Sequence, residues 1–444
     1  MPTAGSNALS SLLSSPGARP FFLAIFLNAA IDLGHKVTVQ NVIFKVYDGA
    51  EQVVLTAIVN ALILLPYIIF FLPVGAAANA LPKPRLMRIT ACFSALMVCI
   101  LCLCYWRGWF WPAFSITFAM AIQSAFYSPA KLGYLKVMFA ENRLAAANGV
   151  AQSLAIIGIL VGTLVFSVGF ELLFSAAFAQ TGEALSKAQV LREMPLLGLA
   201  LLVLVLVQLI AVFRIPFLEK RFQSSAAAHN ELPGSEPAPL PTLSSARQIL
   251  GRREFLLPML GLALFWSAGQ ATLAIFPAFA KQAAGISNTA VIQAVLTCTG
   301  LGIIVGAWIV GRVVKSPYRL HTVPVGVVLM LLGLFSVMHL SSAVMYALVY
   351  LVLGIASGLL IVPLNAFIQA HSSHANIGSV LATSNLFQNI AMLLVLGATI
   401  AVSLYGFSPE TLLWAIALLA ALAGLALLVP LHKLSGYTGA LQGS

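Results

Sequence analysis

Long apolar runs follow one another along almost the whole chain, separated by short polar turns. A helix needs ~20 apolar residues to cross the hydrocarbon core. Segments of that length fall at residues 21–45, 52–78, 86–106, 109–130, 143–170 and 194–213. A second set follows at 255–280, 288–311, 321–340, 343–367, 376–405 and 410–431. The pattern predicts an all-α membrane protein of 12 transmembrane helices in two six-helix bundles, because the runs are continuous and lack the alternation of a membrane barrel. The predicted organisation is a tail over 1–20, a bundle over 21–213, a linker over 214–254, a second bundle over 255–431 and a tail over 432–444.

The linker is the one long polar stretch, and from Ser224 to Ser245 it mixes Ser, Ala, Pro and Gly without periodicity. A shorter polar stretch, Glu171 to Glu193, is expected to hold a short surface helix. Cytoplasmic loops carry the excess of Lys and Arg. With the N-terminus inside, cytoplasmic segments collect seventeen of the 23 basic residues, among them Arg19, Lys83, Arg85, Arg88, Lys131, Lys136, Arg143, Arg312, Lys315, Arg319 and Lys433. Lys45, Arg107, Lys187, Arg192 and Lys281 fall outside, and Lys36 lies within the first span. Both termini are therefore expected on the cytoplasmic side, since a miscounted helix would invert every later loop. The first run lacks a small-residue cleavage site and reads as a retained helix.

Composition narrows the function classes. Hydrophobic residues make up 61% of the 444 positions and charged ones 8%, against roughly a quarter charged in a soluble domain. The net charge of +11 is scattered in short clusters with no basic stripe, which argues against nucleic acid. Four of the five cysteines, Cys92, Cys99, Cys102 and Cys104, share one apolar run, so Cys99 and Cys102 read as packing residues and not as a metal or redox pair. The sequence offers no nucleotide-binding loop, paired-carboxylate site or nucleophile elbow. The expectation is a transporter, not an enzyme, with no cofactor and no metal.

Polar residues inside the apolar runs carry the candidate chemistry. Asp32, His35 and Lys36 lie in the first span, where a charge costs a few kcal/mol unless it is paired or faces water. Their spacing places them on one helical face. Two readings stand: a transport site centred on Asp32, or a structural Asp32–Lys36 ion pair. Asn28 and Gln40 extend the same stripe. In the seventh span Trp266, Ser267, Gln270 and Thr272 form a polar patch of similar depth, and a cavity between the halves is the economical expectation.

An internal repeat adds further candidates. The fourth span ends with Ser124, Tyr127, Pro129 and Lys131, and the fifth carries Asn148 and Gln152. The tenth ends with Ser357, Pro363 and Asn365, and the eleventh carries Asn385, Gln388 and Asn389. Corresponding positions thus hold a proline break and polar groups, as in parallel halves related by an axis along the membrane normal. Lys131 either faces a cavity as an anion-binding group or anchors the surface.

Several motifs resemble the lysophospholipid transporters of the major facilitator superfamily. They are Tyr127-Ser128-Pro129-Ala130-Lys131-x-Gly133 with Ala147-Asn148-Gly149; Leu264-Phe265-Trp266-Ser267-Ala268-Gly269; and Val362-Pro363-Leu364-Asn365-Ala366 followed by Asn385-Leu386 and Ala391-Met392-Leu393-Leu394. The resemblance covers Phe21 to Pro430. It implies a flippase that moves lysophosphatidylethanolamine and lysophosphatidylglycerol across the bacterial inner membrane by alternating access, for re-acylation by a cytoplasmic acyltransferase. That enzyme is expected as a separate chain, because this one stops at Ser444. The family's inward acid maps to Asp32 and its lysine to Lys131. This chain departs from the family at Leu33, where Asn is usual, near Leu273, where an arginine is expected, at Lys136, near an acidic position, and at Asn79 in a loop motif. Lys36 is the candidate replacement for the missing arginine. Two other functions remain open at this point: a proton-coupled transporter of a small soluble metabolite or drug, with Asp32 carrying the proton and His35 tuning it, and a transport-inactive scaffold that docks an acyltransferase.

Overall fold

The computed structural model describes residues 12–139, 141–178, 185–218, 243–314, 316, 318–372 and 377–441. Most of the predicted polar linker, 219–242, lies outside the described residues, as do Lys315 and the Asn79 side chain. Among the described residues the protein is all helical. In chain order the helices are α1 (Ala18–Val46), α2 (Gly49–Ile69), α3 (Phe71–Ala80), α4 (Lys83–Arg107), α5 (Phe110–Met138), α6 (Glu141–Phe178), α7 (Lys187–Arg192) and α8 (Pro195–Phe213). There follow α9 (Leu243–Leu250), α10 (Arg253–Ala284), α11 (Thr289–Val313), α12 (Thr322–Val337), α13 (Ala343–Ala370), α14 (Ile377–Leu404) and α15 (Pro409–Leu441). Ten helices are long and apolar enough to cross a membrane, so the chain is a multi-pass membrane protein.

Several boundaries differ from the sequence reading, and neither expected proline break occurs: the fourth span runs on through Pro129 to Met138 and the tenth through Pro363 to Ala370. The second predicted span, 52–78, divides at Phe70 (φ −97°, ψ 15°), because Pro73 has no N–H to return to the Ile69 carbonyl. The fifth span continues past 170 to Phe178, since Glu171 alone does not stop a helix. The last helix passes through Pro430 to Leu441, so the predicted 432–444 tail is helical over its described part. The ninth span shortens to 16 residues, Thr322–Val337. The expected surface helix is α7, opened by a capping box in which Ser186 and Gln189 satisfy each other's backbone N–H.

The chain divides into two compact units, Met1–Val42 with Ile69–Pro237, and Ile43–Ile68 with Ala238–Ser444. In the first unit, Gly158 and Gly162 on α6 face the Phe26 and Ala30 carbonyl oxygens of α1, and any Cβ at either glycine would collide with them. Small residues four apart allow two helices to approach at backbone distance, the usual means of association where burial from water is no driving force. Arg88 on α4 caps the C-terminal end of α8, donating to the carbonyls of Phe213 (3.0 Å) and Ile215 (2.9 Å) while lying over the Phe217 ring. Helix α8 shows why its apolar sequence lacks visible phase. Leu201, Val205, Gln208 and Val212 are buried, whereas Leu199, Val203, Leu206 and Ile210 are exposed and equally apolar, as a lipid-facing surface requires.

In the second unit, α11 and α13 cross at two glycine pairs. Gly302 meets Gly354 and Gly306 meets Gly358, and a Cβ at Gly302 or Gly354 would strike the Leu351 or Thr299 carbonyl. The segment Ile43–Ile68 packs here: Ala57 and Leu64 on α2 join a cluster with Ala274 of α10 and Met392 and Leu396 of α14. Lys281 ties its N-terminal end. Its ammonium reaches Asp48 Oδ1 (2.7 Å) and the carbonyls of Phe44 (2.7 Å) and Tyr47 (3.2 Å), while Lys45 donates to the Ser287 carbonyl (2.8 Å). Two of the lysines that fall outside the predicted cytoplasmic loops thus have a structural use.

Candidate functional site

A polar network stands inside the first unit where α1, α5 and α8 meet. Asn28 Nδ2 donates to Asp32 Oδ2 (3.0 Å) and to Ser124 Oγ (3.3 Å). Its carbonyl oxygen accepts from Gln123 Nε2 (3.0 Å) and from Gln208 Nε2 (3.0 Å). Ser124 Oγ donates to the Asp32 carboxylate. Asp32 thus holds two neutral donors, and among the described residues no cation lies within ion-pair distance of it. Lys131 and Tyr127 on α5 lie within electrostatic reach of Asp32. Tyr127 is 2% exposed and its hydroxyl has no partner. Helix periodicity explains the cluster: Asn28 and Asp32 are one turn apart on α1, as are Gln123 and Tyr127 on α5.

The structure separates the other residues predicted on α1. His35 is 1% exposed and both ring nitrogens are taken, Nδ1 by the Tyr105 hydroxyl (3.2 Å) and Nε2 by Thr117 Oγ1 (3.2 Å). It joins α1 to α4 and α5 and takes no part in the Asp32 network. The Asp32–Lys36 ion pair anticipated as a structural reading is absent. Lys36 is half-buried and has no hydrogen-bond or ion-pair partner among the described residues. Gln40 is half-buried and partnered. On α6, Asn148 and Gln152 are exposed, and Asn148 donates to its own helix at Leu144 O (3.0 Å).

Of the residues predicted in the second unit, four come together at a cavity of about 210 Å³, lined by Trp266, Gln270 and Thr272 of α10 and Ser357 of α13, with Thr299 and Tyr350. The remaining lining is apolar, including Leu296, Met330 and Leu334. Asn365 donates to Ile361 O (3.0 Å) and Gln388 to Ser384 O and Oγ (3.0 and 2.8 Å), so both amides satisfy their own helices, while Asn385 is exposed. Sequence reasoning passed over Gln123 and Gln208, although each is the sole amide in its apolar run. A buried amide there must find a partner, and that rule would have marked both. Among the described residues no group of His, Cys, Asp and Glu is arranged to hold a metal ion.

A polar cluster anchored on an acid within apolar helices is the mark of a membrane transporter, and comparison agrees. Residues 21–396 match the family described as Major Facilitator Superfamily, and the chain belongs to that superfamily. Solved transporters share the fold: a POT family transporter in complex with 5-aminolevulinic acid (TM-score 0.65, 13% identity, covering 94% of this chain and 96% of that one) and a D-xylose-proton symporter (TM-score 0.65, 13% identity, 92% and 97%). Among curated proteins, the lysophospholipid transporter LplT of Photorhabdus laumondii is 30% identical over 77% of each chain. That of Klebsiella pneumoniae is 28% identical over 74% of this chain and 75% of its own. Within the superfamily, the chain therefore falls in the lysophospholipid transporter family.

Proposed function

We propose that this protein is a lysophospholipid flippase of the bacterial inner membrane that carries lysophosphatidylethanolamine and lysophosphatidylglycerol to the cytoplasmic leaflet by alternating access. The observation that carries the reading is the Asn28–Asp32–Ser124 network with Lys131 within reach and Lys36 unpaired, in a chain whose relatives are named for lysophospholipid transport. A zwitterionic or anionic headgroup brings a phosphate for Lys36 or Lys131 and, in the ethanolamine case, an ammonium for Asp32. Charge can be this sparse because the rest of the substrate is hydrocarbon.

The reading includes twelve spans in two six-helix bundles. The ten apolar helices are joined by α5, which is 29 residues long but more polar, and by α12, whose 16 residues rise only ~24 Å and need a locally thinned bilayer. Both termini lie in the cytoplasm, a placement that the excess of loop lysines and arginines on that side supports. The product is re-acylated by a separate cytoplasmic acyltransferase. In reconstituted vesicles, labelled lysophosphatidylethanolamine moves inward faster than in protein-free vesicles; equal rates refute the function. One observation favours a second reading as a proton-coupled transporter of a small solute: Asp32 is held by neutral donors alone, free to gain and lose a proton. That reading requires flux that follows a pH gradient and disappears in Asp32→Asn.

A further inference from the structure

We infer that the outer end of the first unit carries a binding site for the phosphate of an anionic phospholipid of the surrounding bilayer, built from Arg107, Lys187 and Arg192 among Trp106, Trp109 and Trp111. The leaflet, though not the chemistry of the site, rests on the orientation proposed above. Five basic residues fall outside the predicted cytoplasmic loops, against the bias that keeps Lys and Arg inside. Lys45 and Lys281 are used beside α2, on backbone carbonyls and on Asp48. The other three meet at the turn between α4 and α5. Arg192 Nε donates to the Arg107 carbonyl (3.2 Å), the Arg107 guanidinium lies 5.1 Å from the centre of the Trp106 ring, and the Lys187 ammonium lies 4.5 Å from that of Trp111. Half of the chain's six tryptophans stand here, and they are 64%, 48% and 49% exposed. An exposed indole, apolar in body with one polar N–H, belongs at the headgroup level of a bilayer. The three cations are thereby held at the depth of phospholipid phosphates.

The cations are placed in advance. Gly108 ends α4 at φ 72°, and a Cβ there would meet the Ala188 carbonyl oxygen at 2.6 Å, so α7 is seated directly on the turn. Val190 and Leu191 of α7 are buried, and its capping box fixes where it starts. Their charge is not cancelled within the protein. Arg107, Arg192 and the neighbouring Glu193 form no ion pair among the described residues, and apart from the Arg192 Nε bond the two guanidiniums donate to none of them. A guanidinium presents a planar fork of N–H donors that matches two phosphate oxygens. A headgroup of net negative charge suits this cluster, whereas one that adds an ammonium or trimethylammonium beside three cations gains less. Phosphatidylglycerol is the simplest lipid of that kind.

The test uses the full-length protein with Trp266, Trp308 and Trp414 replaced by Phe, so that emission comes from the three tryptophans of the site. It is reconstituted in phosphatidylcholine vesicles holding a fixed fraction of chain-brominated phosphatidylglycerol or chain-brominated phosphatidylcholine, since bromine quenches only the indoles it touches. At about 0.1 M salt the anionic lipid is expected to occupy the site roughly fivefold more strongly, the effect of about one basic residue facing a charged lipid. In Arg107→Gln with Lys187→Gln the preference falls below about twofold, while unchanged quenching by phosphatidylcholine shows that the tryptophans keep their place. Arg247→Gln with Arg252→Gln removes the same charge from exposed positions elsewhere and leaves the preference intact. Raising salt to about 0.5 M weakens it without any change to the site. The inference is overturned by equal quenching at low salt, by a preference that is indifferent to salt or survives the first double variant, or by equal loss in the second. Both leaflets carry the same lipid, so the outcome stands whichever way the chain inserts, and a negative result leaves the orientation and the flippase reading untouched.

Discussion

Replacing Asn28 by Ala tests whether the α1–α5–α8 network acts as one unit. Asn28 is 8% exposed and, among the described residues, is the one hydrogen-bond partner of Gln208, whose side chain is fully buried and whose Oε1 already has none. The substitution deletes three interhelical bonds, from Gln123, from Gln208 and to Ser124, each worth about 0.6 and at most about 1.7 kcal/mol between membrane helices. It also orphans the Gln208 amide, at about 1–3 kcal/mol. Together these give a loss of about 3–8 kcal/mol. The distinguishing step is Gln208→Leu. In the native background it removes a bond and costs about 1 kcal/mol, but in Asn28→Ala it removes an orphan and returns about 1–3 kcal/mol. Denaturant unfolding in mixed micelles of the four proteins of this cycle reads the coupling directly. A coupling below about 0.5 kcal/mol, the scatter of independent sites, refutes the reasoning.

Lys281→Met removes the ammonium that donates to the Phe44 carbonyl and pairs with Asp48, and should lower thermal stability by about 1–3 kcal/mol, whereas Asp48→Asn, at a side chain 73% exposed, should stay within about 0.5 kcal/mol. Gly354→Leu drives a side chain into the Thr299 carbonyl and should abolish monodisperse protein on size exclusion, while Gly378→Ala, at a position with open space, should not. Lys131→Glu reverses the charge near Asp32 and should slow lysophospholipid transport at least tenfold, roughly 1.4 kcal/mol, with folded yield less affected; unchanged transport contradicts a headgroup role.

The positions of the helices were legible because a span must be apolar over its whole length, whatever its partners. Asp32 was legible for the complementary reason, that a lone acid in such a run needs a physical justification. Direction was not. His35 and Lys36 are neighbours of Asp32 on the helical wheel, yet one is sealed between Tyr105 and Thr117 and the other is unpaired, because rotational phase depends on which helices pack alongside. Similarly, Trp266 and Gln270 marked the second-unit cavity, but Thr299 and Tyr350 did not, since a hydroxyl in an apolar helix usually bonds to its own backbone, as Thr297 does to Gln293 O. The break at Phe70 lay in the sequence at Pro73, and an unbroken apolar run obscured it.

The central claim is that the unpaired lysine within α1 faces a hydrated route used by the headgroup. Its most direct measurement places a thiol there, Lys36→Cys, in a background in which the five native cysteines are replaced. A membrane-impermeant thiol reagent should label this position, and lysophosphatidylethanolamine should slow the labelling in a concentration-dependent way. A thiol that stays unlabelled in folded protein, or labels at the same rate with saturating lipid, contradicts the account.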